Sequence, residues 1–60
     1  MMRSRLCPGE RVRVRTTGQI GTVAQWFENG HAFVRFVRRV AHETFEHAGL
    51  YHRSELEKVR

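Results

Sequence analysis

Turn signals cut this chain into short pieces whose side chains alternate, and that combination points to strands rather than helices. Pro8-Gly9, Thr16-Thr17-Gly18 and Asn29-Gly30 each favour reversal of the chain, and Gly49 interrupts its C-terminal part. Between the first two signals, Arg11-Val12-Arg13-Val14-Arg15 places β-branched residues on one face and charge on the other. Period two of this kind marks a half-buried strand. Gln19 to Phe27 is expected to form a second strand with a bulge or bend at Gly21, and Ala32 to Val37 a third. Arg38 to Ala41 is expected to cross over, and His42 to His47 around Phe45 to form a weaker fourth strand. Tyr51 to Glu55 reads as one short helical or 3₁₀ turn, and Leu56 to Val59 as the last strand. A longer helix over His42 to Arg60 competes with this reading, but Gly49, Thr44, Phe45 and Tyr51 weigh against it. Sixty residues suffice for one small core. The expected architecture is therefore all-β, a five-stranded small barrel or roll over residues 9–60, preceded by a flexible lead-in at 1–8.

The central hairpin predicts which residues face outward. Asn29-Gly30 suits a two-residue type I′ loop, because both of its central residues need positive φ. That loop would pair Glu28 with His31, Trp26 with Phe33 and Val23 with Phe36. Paired residues share a face, so Val23, Gln25, Phe27, Ala32, Val34 and Phe36 are assigned to the core. Val12, Val14, Ile20, Phe45, Leu50 and Leu56 are expected to join them. Trp26, Phe33 and Val37 would then stand outside beside Arg35, as a candidate interface. A slip of one residue would exchange the two faces.

Charge narrows the functional classes. Eleven Lys and Arg against six Asp and Glu give a net charge of +5, and ten of the eleven basic residues are Arg. Arginine's planar fork matches phosphate and stacks on bases. Arg11, Arg13 and Arg15 would project from one strand face about 6.7 Å apart, close to the phosphate repeat of a nucleic-acid strand. Arg35, Arg38 and Arg39 add a second group, and Trp26 or Phe33 could stack on bases. Such a surface suits nucleic acid or an acidic protein partner.

Other chemistries fit poorly. His42, His47 and His52 recur every five residues with Glu43 and Glu46 between them, but match neither orientation of the helical zinc-protease motif. On a strand, His42 and His47 would face opposite ways, so no metal site is expected. Cys7, the only cysteine, lies beside Pro8 with no evident base, and one thiol excludes an internal disulfide. No nucleophile arrangement, phosphate loop or cofactor motif stands out, so no cofactor and no catalytic residue is assigned, and a non-enzyme is favoured. No apolar run reaches the length of a membrane span. The lone thiol without a secretion signal fits a cytoplasmic setting.

Pro8-Gly9-Glu10-Arg11-Val12-Arg13-Val14, then Gly18-Gln19-Ile20-Gly21-Thr22-Val23, and finally Tyr51, a short turn and Leu56-Glu57-Lys58-Val59 together resemble the SH3-like small barrel of bacterial and phage type. The resemblance runs from Gly9 to Val59 and implies five strands with a 3₁₀ turn before the last. Similar motifs occur across barrels of unrelated function, including KOW-type domains of ribosomal proteins and transcription factors and small subunits that clip onto larger assemblies. Gly9 to Arg13, Gly18-Gln19-Ile20 and Tyr51 to Leu56-Glu57 are also similar to the plasmid-encoded type II dihydrofolate reductases, tetramers with one central pore. Where that family has Val-Gln-Ile-Tyr along its pore, this chain has Ala48-Gly49-Leu50-Tyr51, which keeps only the tyrosine.

Three functions are thereby expected, in order. The first is a non-enzymatic module contacting nucleic-acid phosphates through Arg11, Arg13, Arg15, Arg35, Arg38 and Arg39, with Trp26 or Phe33 stacking. The second is an assembly role, as homo-oligomer or adaptor, through Trp26, Phe33, Val37 and Tyr51. The third is an NADPH-dependent reductase of the type II kind.

Overall fold

Alternation does become sheet. The computed structural model describes residues 6–59, and its five strands are β1 (Arg11–Val14), β2 (Ile20–Trp26), β3 (His31–Val40), β4 (Glu43–His52) and β5 (Leu56–Lys58). A 3₁₀ turn, Arg53–Glu55, separates the last two. All pairings are antiparallel, in the order β4-β3-β2-β1-β5.

The core forms on one face of this sheet. Val12 and Val14 of β1, Val23 of β2, Ala32, Val34 and Phe36 of β3, and Leu56 of β5 are buried, with Leu6 completing the cluster. Leu6 belongs to the stretch that the sequence alone left as an unpatterned lead-in. Trp26 and Tyr51 pack against the cluster from its edge. Each fully buried valine contributes about 1.5–3 kcal/mol relative to exposure, so no single contact dominates a core this small.

The sheet must curl. Its two edge strands, β4 and β5, are consecutive in the chain and joined by only three residues. Laid flat, five strands would separate those edges by about 19 Å, whereas the four steps from His52 to Leu56 span at most about 14 Å. Two backbone hydrogen bonds hold the connection in place: Arg53 N–H donates to the Gly30 carbonyl (2.9 Å) and Arg15 N–H to that of Glu55 (2.9 Å). A capping box closes the turn. His52 accepts from Ser54 N–H, and the Glu55 carboxylate accepts from His52 N–H at 2.8 Å. Among the described residues no pairing joins β4 to β5, so the curled sheet remains open.

The β2–β3 loop departs from the expected type. Only Gly30 has positive φ (92°), not Asn29, and Phe27 N–H donates to the His31 carbonyl at 2.8 Å. The loop is therefore three residues, Glu28 to Gly30, a type I turn followed by a left-handed glycine. Asn29 serves through its side chain, accepting from His31 N–H at 3.0 Å. The register moves by one, pairing Trp26 with Ala32 and Gln25 with Phe33. A bulge at Ala24 then moves it by one more, so that Val23 meets Val34.

These two steps explain the misplaced side chains. Val23, upstream of the bulge, returns to the inward phase expected for it. Between bulge and loop every residue is reversed: Gln25 and Phe27 are exposed, and Trp26 turns inward. Ile20, three residues from Val23, takes the opposite phase and is 46% exposed. The expected bulge at Gly21 is not the one formed.

β3 and β4 are also longer than expected. Arg38 to Val40 continue β3 instead of crossing over, and Gly49 lies within β4 opposite Val34. Val40 pairs with Glu43, which leaves Ala41-His42 as a two-residue loop with positive φ at Ala41 alone (58°). Positive φ at the first position only is the type II′ pattern. Because β2 pairs with β3 no further along than Arg35, the distal part of this hairpin projects as an arm. The molecule measures 45 × 18 × 18 Å accordingly. Phe45 and Leu50, expected in the core, are 50% and 57% exposed on opposite sides of β4.

Candidate interaction surface

The surface opposite the core collects most of the charged and aromatic residues of interest. Along β3 it carries His31, Phe33, Arg35, Val37 and Arg39. Along β4 it carries His52, Leu50, Ala48, Glu46 and Thr44 opposite them. Arg11 and Arg13 of β1 alternate away from buried Val12 and Val14 and so share this face. Thr22 lies between Arg11 and Arg35 in the sheet, pairing with both. Two strand spacings put the backbones of Arg11 and Arg35 about 10 Å apart.

Charge on this face is one-sided. Among the described residues, Arg11, Arg13, Arg15, Arg35 and Arg39 meet two carboxylates on this face, Glu46 and Glu57. Glu57 on β5 sits across from Arg13 and accepts from it at 3.1 Å and from Arg15 at 3.2 Å. All three side chains are at least a third exposed, and exposed pairs of this kind contribute about 0–1 kcal/mol. Glu57 therefore orients two guanidiniums in solvent more than it stabilises the fold. A further ion pair, Lys58 with Glu10 at 3.5 Å, involves neither of them.

Apolar and aromatic groups are interleaved with the arginines. Phe33, Leu50, Val37 and Ile20 are 41–59% exposed here, and Phe27 lies at the end of the face nearest the Glu28–Gly30 loop. His31 and His52 meet edge-to-face at that end, with ring centroids 5.0 Å apart. One end is thus ringed by Phe27, His31, His52 and Phe33, while arginines occupy the middle and the arm.

Not every residue singled out from the sequence lies here. Trp26 is on the core side, half-buried, so the expected outward patch of Trp26, Phe33 and Val37 is reduced to the last two. Tyr51 is also on the core side, edge-on to Phe36 at 6.0 Å. Arg38 projects from the opposite face of the arm, paired with Phe45. Conversely, Phe27, Ile20 and Leu50, expected in the core, belong to this surface together with His52 and the counter-charge Glu57, whereas His31 faces outward as the hairpin pairing implied. Ile20 was legible from parity alone, since it stands three residues from inward Val23.

The histidines are dispersed. His42 is in the arm's loop, His47 stacks on Phe36 with centroids 5.0 Å apart, and His52 caps the 3₁₀ turn. Among the described residues no three His, Cys, Asp or Glu side chains are grouped to hold a metal ion. Cys7 is an exposed free thiol whose N–H donates to Glu10. Among the described residues no helix is long and apolar enough to cross a membrane.

Comparison with protein-family models, curated proteins and solved structures finds no match to this chain. The similarity to SH3-like barrels and to type II dihydrofolate reductases rests on the quoted residues alone.

Proposed function

We propose that this chain is a non-enzymatic module of SH3-like barrel type that binds single-stranded nucleic acid across the outer face of its sheet. The strand order, the antiparallel meander and the 3₁₀ turn that brings the two sheet edges together support the barrel assignment. One observation carries the functional reading: among the described residues, five arginines and exposed Phe33 share a face that holds two carboxylates. Guanidiniums take the phosphates, and bases stack on Phe33 and on the histidine rings beside it. Contacts of this kind give weak sequence preference and strong salt dependence. Arg38 is on the other side of the arm and takes no part in this platform.

The test is a charge reversal by face. Anisotropy of a labelled short single strand at low salt should fall to background for Arg11→Glu/Arg35→Glu. The matched variant Arg38→Glu/Arg53→Glu should retain most of the binding. Equal loss in both would mean that net charge, not this face, attracts the polyanion. Binding unaffected by either would remove the nucleic-acid reading.

A protein-docking role for the same face is the second reading, favoured by the exposure of Ile20, Phe33, Val37 and Leu50 together. A Phe33→Ser/Val37→Ser variant that keeps nucleic-acid binding but loses a protein complex would support it.

A further inference from the structure

Among the described residues no strand pairs with β4 on the side away from β3, and this edge is unusual for an edge strand. It is ten residues long, pairs with β3 without any register shift, and contains neither proline nor lysine. Natural edges are blunted by short length, bulges, proline or charged side chains, lysine above all, because unpaired N–H and C=O groups otherwise recruit another strand; of these β4 has only Glu43 and Glu46, both in its first half. The opposite edge, β5, is managed in that way, with three residues and Lys58.

The groups that β4 leaves free can be identified. Its two-residue loop is closed by the pair Val40 and Glu43, and Arg53 N–H reaches the Gly30 carbonyl. Both observations place odd-numbered residues of β4 in hydrogen-bonded pairs with β3. The even-numbered residues Thr44, Glu46, Ala48 and Leu50 therefore turn their N–H and C=O groups to the open side. His52 ends this run, because its N–H is taken by Glu55.

We infer that the β4 edge binds a second copy of this chain, β4 to β4 and antiparallel, about a twofold axis at Ala48. Charge and size select this register. Centring on Glu46 would oppose two carboxylates, whereas Ala48 places the smallest side chain on the axis. Phe45 then lies opposite the partner's Tyr51, twice by symmetry. Aromatic pairs across strands are favourable. The pairing also lies against Phe45 and Leu50, both at least half exposed in the single chain. A twofold contact closes on itself and stops at a dimer. Because the axis is perpendicular to the sheet, both outer arginine faces point the same way and form one continuous platform.

The test uses the full chain without nucleic acid. Light scattering or sedimentation across a broad dilution series should give twice the 7.1 kDa chain mass, and Ala48→Pro should give a monomer. Proline at 48 removes only an N–H that points away from β3, so circular dichroism should stay that of the wild type. A wild-type monomer at every concentration would overturn the proposal, as would a dimer that survives A48P. Should A48P fail to fold, cysteine bridging decides. Cys7→Ser/Ala48→Cys should oxidise readily to a covalent dimer, since the paired Cα atoms would be about 5.5 Å apart, within the range a disulfide spans. Failure of that bridge to form also overturns it.

Discussion

A Cβ at Gly21 would stand 2.7 Å from the Arg35 carbonyl oxygen and 2.7 Å from Cδ1 of Phe36. Glycine is required there because β2 must approach β3 closely enough for the Phe36 ring to lie over its backbone. Gly21→Ala is expected to destabilise the domain by about 1–3 kcal/mol through overpacking, measured by denaturant unfolding. A change near zero would mean that Phe36 has room to move. Ala41 is the opposite case, an L-residue held at φ 58° where a type II′ turn prefers glycine. Ala41→Gly should raise stability by about 0.5–1 kcal/mol, the relief of left-handed strain less the added freedom of the unfolded chain. Glu57 tests the function instead. Glu57→Gln should cost less than about 1 kcal/mol of stability. It should also tighten oligonucleotide binding, because Arg13 and Arg15 lose a competitor to phosphate. Unchanged affinity would show that those two arginines make no contact.

At the scale of elements, β1 was the most legible, because nothing interrupts the alternation of Arg11 to Val14 between its turns. β5 was nearly as clear, with Leu56 in the expected core, whereas the turn expected over Tyr51 to Glu55 is confined to Arg53–Glu55 because Tyr51 and His52 continue β4. The central hairpin was misread at one point whose effect spread. Asn29-Gly30 is compatible with two loops that differ by one residue, and local composition does not choose between them. The bulge at Ala24 had no glycine to announce it, since it relieves a mismatch between the three-residue loop and the burial of Val23. Trp26 was consequently placed on the wrong side, while Ala32, Val34 and Phe36, which lie beyond the loop on one regular strand, were placed correctly. Gly49 misled for a different reason. It sits opposite Val34 with the Tyr51 ring 3.1 Å from its Cβ direction, so it makes space for an aromatic side chain and does not end the strand. The long arm was hidden by Arg38-Arg39, whose charge resembles a loop but is carried on the two faces of an exposed hairpin.

On the scale of the molecule, the curl of the sheet divides it into a small valine-rich interior and an outer surface that bears the charge. That division explains how sixty residues can present five arginines together without losing stability: none of them is buried. It also predicts the form of the salt dependence. For a single strand the logarithm of the binding constant should fall with the logarithm of salt concentration by about 0.7 per phosphate neutralised. Three to five engaged arginines therefore give a slope of about −2 to −3.5. Each outer-face charge removed should reduce its magnitude by about 0.7, and Arg38→Gln should leave it unchanged. A slope insensitive to the outer-face arginines would assign the affinity to stacking or to charges elsewhere.

The most direct measurement is amide chemical-shift mapping during titration with a short single-stranded oligonucleotide at low salt. The perturbed amides should cluster at Arg11, Thr22, Phe33, Arg35 and Leu50, with side-chain shifts in the Phe33 and His31 rings. Val12, Val23 and Trp26, on the core side, should move little. Perturbations centred instead on Trp26, Tyr51 and Arg38, or no saturable shifts at all, would contradict a binding platform on the outer face.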